Sequence, residues 1–188
     1  MEDRKRFVDI AEITEGSKAL DAGTGDGFFA LWIARRIGIS GLVIAIDISS
    51  EYVRKAHGLF KKESVSDYTH VIRSDLRWVP IRKNSLDVAA SYDFVSSINV
   101  PSALAEIFSQ IKGALKKDGR IIAVDYNTKP RSEEENLFFR RLALHRRVYK
   151  ALGKSLHVTF FTPDEIRSVL EKLGFKTRID VIERDISM

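Results

Sequence analysis

The sequence predicts an α/β fold with a doubly wound, mostly parallel sheet, formed as one domain over residues 1–188. Three observations predict it. Helical and strand-like segments alternate along nearly the whole chain. One short strand leads through a glycine-rich turn directly into an apolar helix. A continuous apolar run at 42–47 is typical of a strand that is covered on both faces.

The first half of the chain contains three helix–strand alternations and one further strand. Its predicted elements are a helix over 3–14, a strand at Lys18–Ala22, a helix at Phe28–Ile37, a strand at Leu42–Asp47, a helix over 50–62 and strands at His70–Arg73 and Leu86–Ala90. The first helix has Phe7, Ile10 and Ala11 on one side. The helix Phe28–Ile37 is apolar on nearly every face, so we expect it to be buried.

The second half continues the alternation. A helix that starts at Pro101 has apolar residues at helical spacing and ends at Asp118-Gly119, before a fifth strand at Arg120–Val124. Two capping boxes mark further helix starts, formed by the pairs Ser132 with Glu135 and Thr162 with Glu165. The last helix stops at Gly174, and a sixth strand is predicted at Phe175–Ile182.

Composition excludes several kinds of site. The chain has no cysteine, which excludes a disulfide framework, a cysteine zinc site and a cysteine nucleophile. Its four histidines are dispersed, so we expect no metal. No run of 18 apolar residues predicts a membrane span, and no signal peptide follows the N-terminus, so we expect a cytoplasmic protein.

The glycine-rich turn is the strongest functional signal. Gly23-Thr24-Gly25-Asp26-Gly27 joins a strand to a helix, where glycine lets a ligand approach the backbone. Asp47 ends the next strand, where a carboxylate can accept hydrogen bonds from two ribose hydroxyls. Asp75 follows the third strand, where it can accept from an exocyclic amine. Phe28 stands where a dinucleotide motif would have its third glycine, which argues against an NAD-type oxidoreductase.

These residues resemble a known family. Leu20 to Gly27 is similar to the first motif of class I S-adenosylmethionine-dependent methyltransferases, and Leu115 to Arg120 and Phe161 to Ile166 are similar to later segments. The resemblance is nearest to the group that contains quinone-biosynthesis methyltransferases, and it implies a Rossmann-like fold with S-adenosylmethionine as cofactor. The implied cofactor-binding residues are Asp21, Gly23, Thr24, Gly25 and Gly27 at the methionine part, Asp47 and Ile48 at the ribose, Asp75 and Leu76 at the adenine, and Tyr92 in the pocket wall.

The resemblance leaves the acceptor and the catalytic groups open. A small-molecule acceptor is the first interpretation, with RNA as an alternative and a non-catalytic partner subunit as another. Tyr92 and Asp93 follow the fourth strand and His157 precedes an apolar run, so these three are the candidates for substrate contact or a base. Tyr92 is also compatible with a wall of the cofactor pocket. Only about six residues follow Ile182, so we expect a seventh strand that is absent, shortened or supplied by a partner, and a homodimer is an open alternative.

The segment at about 127–160 is predicted to be a helical, lid-like insert. The predicted helix has Phe138, Leu142, Tyr149 and Leu152 on one side, with His145 among them. Residues 131–154 carry seven Arg or Lys and three Glu, so they account for +4 of the formal net charge of +5. These charges are compatible with a solvated helix face or with attraction of an anionic substrate or RNA.

Overall fold

A computed structural model of the chain describes residues 2–98, 101–125, 132–153 and 161–181. The helices are α1 (Glu2–Ile10), α2 (Phe28–Ile37), α3 (Ser50–Lys62), α4 (Pro101–Ala114), α5 (Glu133–Ala151) and α6 (Pro163–Lys172). The strands are β1 (Lys18–Ala22), β2 (Leu42–Asp47), β3 (Thr69–Arg73), β4 (Leu86–Tyr92) and β5 (Leu115–Val124), with a short 3-10 turn at Val95–Ser97.

The strands form one sheet in the order β3-β2-β1-β4-β5, and every pair is parallel. The chain moves outward from β1 to β3 and then returns to place β4 on the other side of β1. Parallel sheets bind ligands at such a reversal, outside the carboxyl ends of the strands. The topology therefore locates a candidate site at the carboxyl ends of β1, β2 and β4.

Two apolar layers cover the sheet, one on each face. Helices α1, α2 and α3 contribute to the first layer, which includes Val8, Phe29, Ile33 and Phe60. Helix α4 contributes Leu104, Phe108 and Ile111 to the second layer, and α6 packs partly buried side chains against it. The predicted doubly wound sheet is thus confirmed, with burial on both faces as the apolar run of β2 indicates.

Several predicted elements are confirmed to the residue. Strands β1 and β2 and helices α2 and α3 have the bounds that the sequence predicts. Six residues of α2 are buried, as its apolar surface requires. The Thr162 hydroxyl accepts from the amide of Glu165, whose carboxylate accepts from the amide of Thr162, so this capping box forms in full. Ser132 also caps α5, because its hydroxyl accepts from the amide of Glu135.

Two predictions about helix ends were wrong. Helix α1 ends at Ile10 instead of residue 14, because Glu12 adopts a left-handed conformation with φ 50°. Its buried side includes Val8 and Ala11, whereas Ile10 is exposed. Helix α4 ends at Ala114, and β5 starts at Leu115 rather than Arg120. Leu115 pairs with Leu86 and Arg120 pairs with Val88, so residues 116–119 bulge out of the ladder.

The predicted sixth strand at Phe175–Ile182 does not form within 175–181, and residue 182 lies outside the described residues. Half-buried Phe175, Thr177 and Ile179 do alternate with exposed neighbours, as in a strand. The amide of Phe175, however, donates to the carbonyl of Leu170 at the end of α6. Alternation reports which side chains face the protein, and it does not by itself supply a backbone partner. The prediction that a seventh strand is absent, shortened or supplied by a partner concerns residues 183–188, which lie outside the described residues.

None of the described helices has an apolar stretch long enough to cross a lipid bilayer. The helical part of the predicted insert is present as α5, which covers residues 133–151. Residues 127–131 and 154–160 of that insert lie outside the described residues.

Candidate active site

The glycine-rich turn is tied to the neighbouring strand by its backbone. The amides of Gly23 and Thr24 both donate to the carbonyl of Ile46 at 2.9 Å, and the amide of Gly27 closes the turn on the carbonyl of Thr24. Gly23, Gly25 and Gly27 have φ values of 73°, 56° and 88°, a region that side chains rarely adopt. The turn therefore requires glycine for its conformation, as the sequence predicts.

The space around each glycine differs. A Cβ atom on Gly23 would lie 2.2 Å from a ring carbon of Phe94, and one on Gly27 would lie 2.9 Å from the Cβ of Ala56. A Cβ on Gly25 would have no atom within 4 Å. Gly23 and Gly27 therefore permit close internal packing, and Gly25 borders the open side of the turn.

Asp21 is the buried charged group of the site. It lies in β1 between Ala45 of β2 and Ala90 of β4, and its side chain is fully buried. Within the described part of the chain, neither carboxylate oxygen has a hydrogen-bond partner. Burial raises the pKa of the Asp21 carboxyl to about 7. The Thr24 hydroxyl, the Ala30 amide and the positive charge of Arg4 act in the opposite direction, although neither donor reaches Asp21 with the geometry of a hydrogen bond. A buried carboxylate without partners is stabilised by any cation or donor that reaches it.

Asp47 links the end of β2 to the glycine-rich turn. One carboxylate oxygen accepts from the amide of Gly25 and the other from the amide of Ser49, both at 2.9 Å. The side chain is half-buried and Ile48 beside it is 63% exposed. Each carboxylate oxygen can accept a second hydrogen bond. Asp47 can therefore brace the turn and still accept bonds from a diol.

Asp75 has a strong internal partner that the sequence analysis did not identify. Its two oxygens accept from the Nε of Arg77 at 3.2 and 3.0 Å, and one also accepts from the Arg77 Nη2 at 2.6 Å. This pairing holds the pKa of the Asp75 carboxyl below its usual range. The adjacent Leu76 is buried in the apolar layer that contains α4.

Tyr92 packs away from the open side of the sheet end. Its ring lies 5.6 Å from the ring of Phe7 and 5.5 Å from that of Phe29. The guanidinium of Arg4 lies 5.2 Å from the Tyr92 ring and 5.7 Å from the Phe28 ring. Helix α1 therefore covers this side of the site, and Arg4 is a site residue that the sequence analysis missed.

The neighbouring strands β4 and β5 are each followed by an aspartate. Asp93 adopts a left-handed conformation with φ 53°, and its amide donates to the carbonyl of Val124 at 2.9 Å. Asp125 directly follows β5 and accepts from the amide of Ser96 at 2.9 Å. Asp125 is a second residue that the sequence analysis missed, although its position after a strand was a usable signal.

The third catalytic candidate, His157, lies outside the described residues. Among the residues that the structure describes, no group of three or more His, Asp or Glu side chains is arranged to hold a metal ion.

Residues 19–119 match the model of a family described as a methyltransferase domain. This match covers more than half of the chain. The chain belongs to this methyltransferase domain family. The predicted family, its Rossmann-like fold and its dependence on S-adenosylmethionine are thereby confirmed.

The methyltransferase is also similar to individual proteins. It is 22% identical over 186 residues to a ubiquinone/menaquinone biosynthesis C-methyltransferase of Methylococcus capsulatus, covering 90% of this chain and 71% of that protein. It is 26% identical over 177 residues to the sterol 24-C-methyltransferase of Saccharomyces cerevisiae, covering 93% of this chain but only 44% of that protein. A solved S-adenosylmethionine-dependent methyltransferase from Aquifex aeolicus superposes with a TM-score of 0.71 at 20% identity, covering 93% of this chain and 80% of that one.

A wide cleft at the opposite end of the sheet is not the better candidate. It has a volume of about 550 Å³ and is lined by residues that include Glu15, Asp87, Lys116 and Arg120. Asp87 forms an ion pair with Lys116, and Arg120 forms one with Glu12. Its charges therefore neutralise one another, and it lies at the amino ends of the strands, away from the glycine-rich turn of the methyltransferase.

Proposed function

We propose that the chain transfers a methyl group from S-adenosylmethionine to a nucleophilic atom of a small molecule with an apolar body. The observation that carries the proposal is the fully buried Asp21 carboxylate beside the glycine-rich turn, without a hydrogen-bond partner in the described residues. The relatives support the acceptor class, since the two named above act in quinone biosynthesis and on a sterol.

The residues of the turn fit the cofactor. Asp21 would pair with the cationic amino group of the methionine part, and the open side of the turn at Gly23, Thr24 and Gly25 would border that part. Gly27 lets the end of the same turn pack closely against α3. When bound, the sulfonium supplies an activated methyl group for in-line transfer, so positioning provides much of the acceleration.

The ribose and adenine assignments rest on the two further strand ends. Asp47 would accept from the ribose hydroxyls with the oxygen lone pairs that Gly25 and Ser49 leave available, and exposed Ile48 would cover the adjoining ring. Asp75 would accept from the adenine amine only alongside Arg77, which already occupies both of its oxygens. We therefore propose that Asp75 contributes less to cofactor binding than Asp47 does. Leu76 would support the adenine end from the apolar layer that contains α4.

Asp93 is the residue proposed to receive a proton when the acceptor must lose one. It follows β4 at the end of the sheet next to Asp125, and a carboxylate at this place can act as a general base. Tyr92 is proposed as a wall residue, because its ring already packs against Phe7 and Phe29. His157 stays a candidate without structural support.

The Asp93→Asn variant is expected to lower kcat by about 10²-fold or more, since general base catalysis contributes about 10²–10⁴-fold. Asparagine tolerates the left-handed backbone at this position, so the fold is expected to persist. The KM for S-adenosylmethionine should stay within about twofold. An unchanged kcat would remove Asp93 from the base role.

Transfer of a radiolabelled methyl group tests the proposed reaction. The protein is incubated with methyl-labelled S-adenosylmethionine and either a total lipid extract or total RNA, and label is counted in each fraction after separation. Label in the lipid fraction that is absent with the Asp21→Asn variant supports the proposal. Label in the RNA fraction favours the alternative acceptor, and cofactor binding without any transfer favours a non-catalytic partner subunit.

A further inference from the structure

Helix α5 exposes an apolar stripe to solvent. Leu137, Leu144 and Val148 are 47%, 58% and 46% exposed, and Phe138 and Leu152 are 50% and 65% exposed. Each residue advances the helix by about 100°, so the first three lie within about 40° of one another, and Leu152 and Phe138 widen the apolar sector to about 120°. Partly exposed apolar side chains are common singly, but an aligned set on one helix marks a contact surface.

A row of arginines borders the stripe on one side. Arg140 and Arg147 follow Leu137 and Leu144 by three residues and form this row, and Arg141 lies within the stripe; all three are exposed. From residue 136 to residue 153 the sequence contains five Arg or Lys and no Asp or Glu. The acidic residues of the helix are confined to its first turn, at Glu133–Glu135.

We propose that the surface formed by Leu137, Arg140, Leu144, Arg147 and Val148 docks on an anionic lipid bilayer, with α5 lying in the interface. Amphipathic helices with arginine or lysine beside apolar residues bind such surfaces by burying the apolar side chains while the cations meet the headgroups. Charge complementarity selects this occupant. A second copy of the chain would oppose like charges, and RNA would leave the apolar stripe exposed to water.

This docking goes beyond the proposed methyl transfer and gives it a location. In chain order α5 follows β5, and the carboxyl end of β5 lies beside Asp93. A bilayer would present an acceptor with an apolar body to the docked protein. The uptake of the acceptor from the bilayer rests on the proposed function, because that function defines the acceptor. The docking itself is tested by lipid binding, with no methyl transfer required.

Vesicle sedimentation tests the docking. Wild-type protein is mixed with phosphatidylcholine vesicles that contain either no phosphatidylserine or about 30% phosphatidylserine, and the bound fraction is measured at low and high salt. We expect binding only with the anionic lipid, and a fall of about tenfold or more at high salt. Arg140→Gln combined with Arg147→Gln should weaken binding by about 25-fold, since each arginine near an anionic surface contributes about a factor of five.

Two control variants remove the same kinds of side chain from other surfaces: one removes two exposed cations, and the other removes one exposed apolar side chain. Lys61→Gln with Lys62→Gln removes two exposed cations from α3, and Ile39→Asn replaces a side chain that is 80% exposed outside α5. Both should bind vesicles like the wild type, whereas Leu144→Asn should bind several-fold more weakly. Equal losses in the control and test variants would overturn the proposal, as would wild-type protein that binds an RNA oligonucleotide but no vesicle. Cofactor titration of the same samples separates the two hypotheses, because failed cofactor binding with intact vesicle binding refutes only the methyl transfer.

Discussion

Replacement of Asp21 by asparagine is expected to stabilise the free protein and to abolish tight cofactor binding. The carboxylate is fully buried without a hydrogen-bond partner in the described residues, so its charged form is costly in the absence of a ligand. The amide of asparagine removes that charge at nearly the same volume. It also removes the counter-charge for a cationic ligand group, so the affinity for S-adenosylmethionine should fall by roughly 10–100-fold.

The stabilisation should depend on pH in a defined direction. The folded-state pKa of Asp21 is about 7, above its ordinary value of 3.8, so the folded protein holds this proton more tightly than the unfolded chain does. The wild type therefore loses stability relative to Asp21→Asn as pH rises from about 4 to about 7, and the difference is constant above that. Urea unfolding at pH 5 and pH 8 measures it, with a difference at pH 8 on the order of 2–4 kcal/mol. Asp26→Asn is the control on the same turn, and a variant less stable than the wild type at pH 8 would contradict the account.

Alanine at Gly23 is expected to destabilise the protein more than alanine at Gly25. Both positions have positive φ, so each substitution costs about 1–2 kcal/mol of backbone strain. Only the Gly23 Cβ meets a neighbour, at 2.2 Å from the Phe94 ring, so overpacking should add about 1–3 kcal/mol there. Chemical unfolding of the two variants measures the difference.

Cofactor titration of the same two variants gives the complementary result. The Gly25→Ala protein should stay folded but bind S-adenosylmethionine at least tenfold more weakly, because its Cβ projects into the open side of the turn. The Gly25 amide, which donates to Asp47, remains available in this variant. Unchanged affinity in Gly25→Ala would show that the ligand does not approach this part of the turn.

The sequence predicted the strand ends of the site more successfully than the contacts around them. The run from Lys18 to Ile37 and the carboxylate of Asp47 were predictable, because alternating elements and glycines at fixed positions encode local backbone geometry. The pairing of Asp75 with Arg77 was accessible in principle, since the two residues are two positions apart. The approach of Arg4 to Tyr92 was not, because it joins residues 88 positions apart through the packing of α1.

The edge of the sheet shows the same limit. The strand predicted at Phe175–Ile182 does not form within 175–181, although its side chains alternate in burial, because a strand also requires a backbone partner elsewhere in the chain. The bulge at 116–119 likewise depends on how β5 pairs with β4. Hydrophobic periodicity determines which side chains are buried, whereas register and edge pairing are set by contacts between distant segments.

Calorimetric titration of the wild-type protein with S-adenosylmethionine, S-adenosylhomocysteine and NAD, in parallel, tests the central claim most directly. The account predicts micromolar binding of both sulfur compounds at the site of Asp21 and Asp47 and no binding of NAD. Absence of binding by both sulfur compounds, or binding of NAD alone, would contradict it.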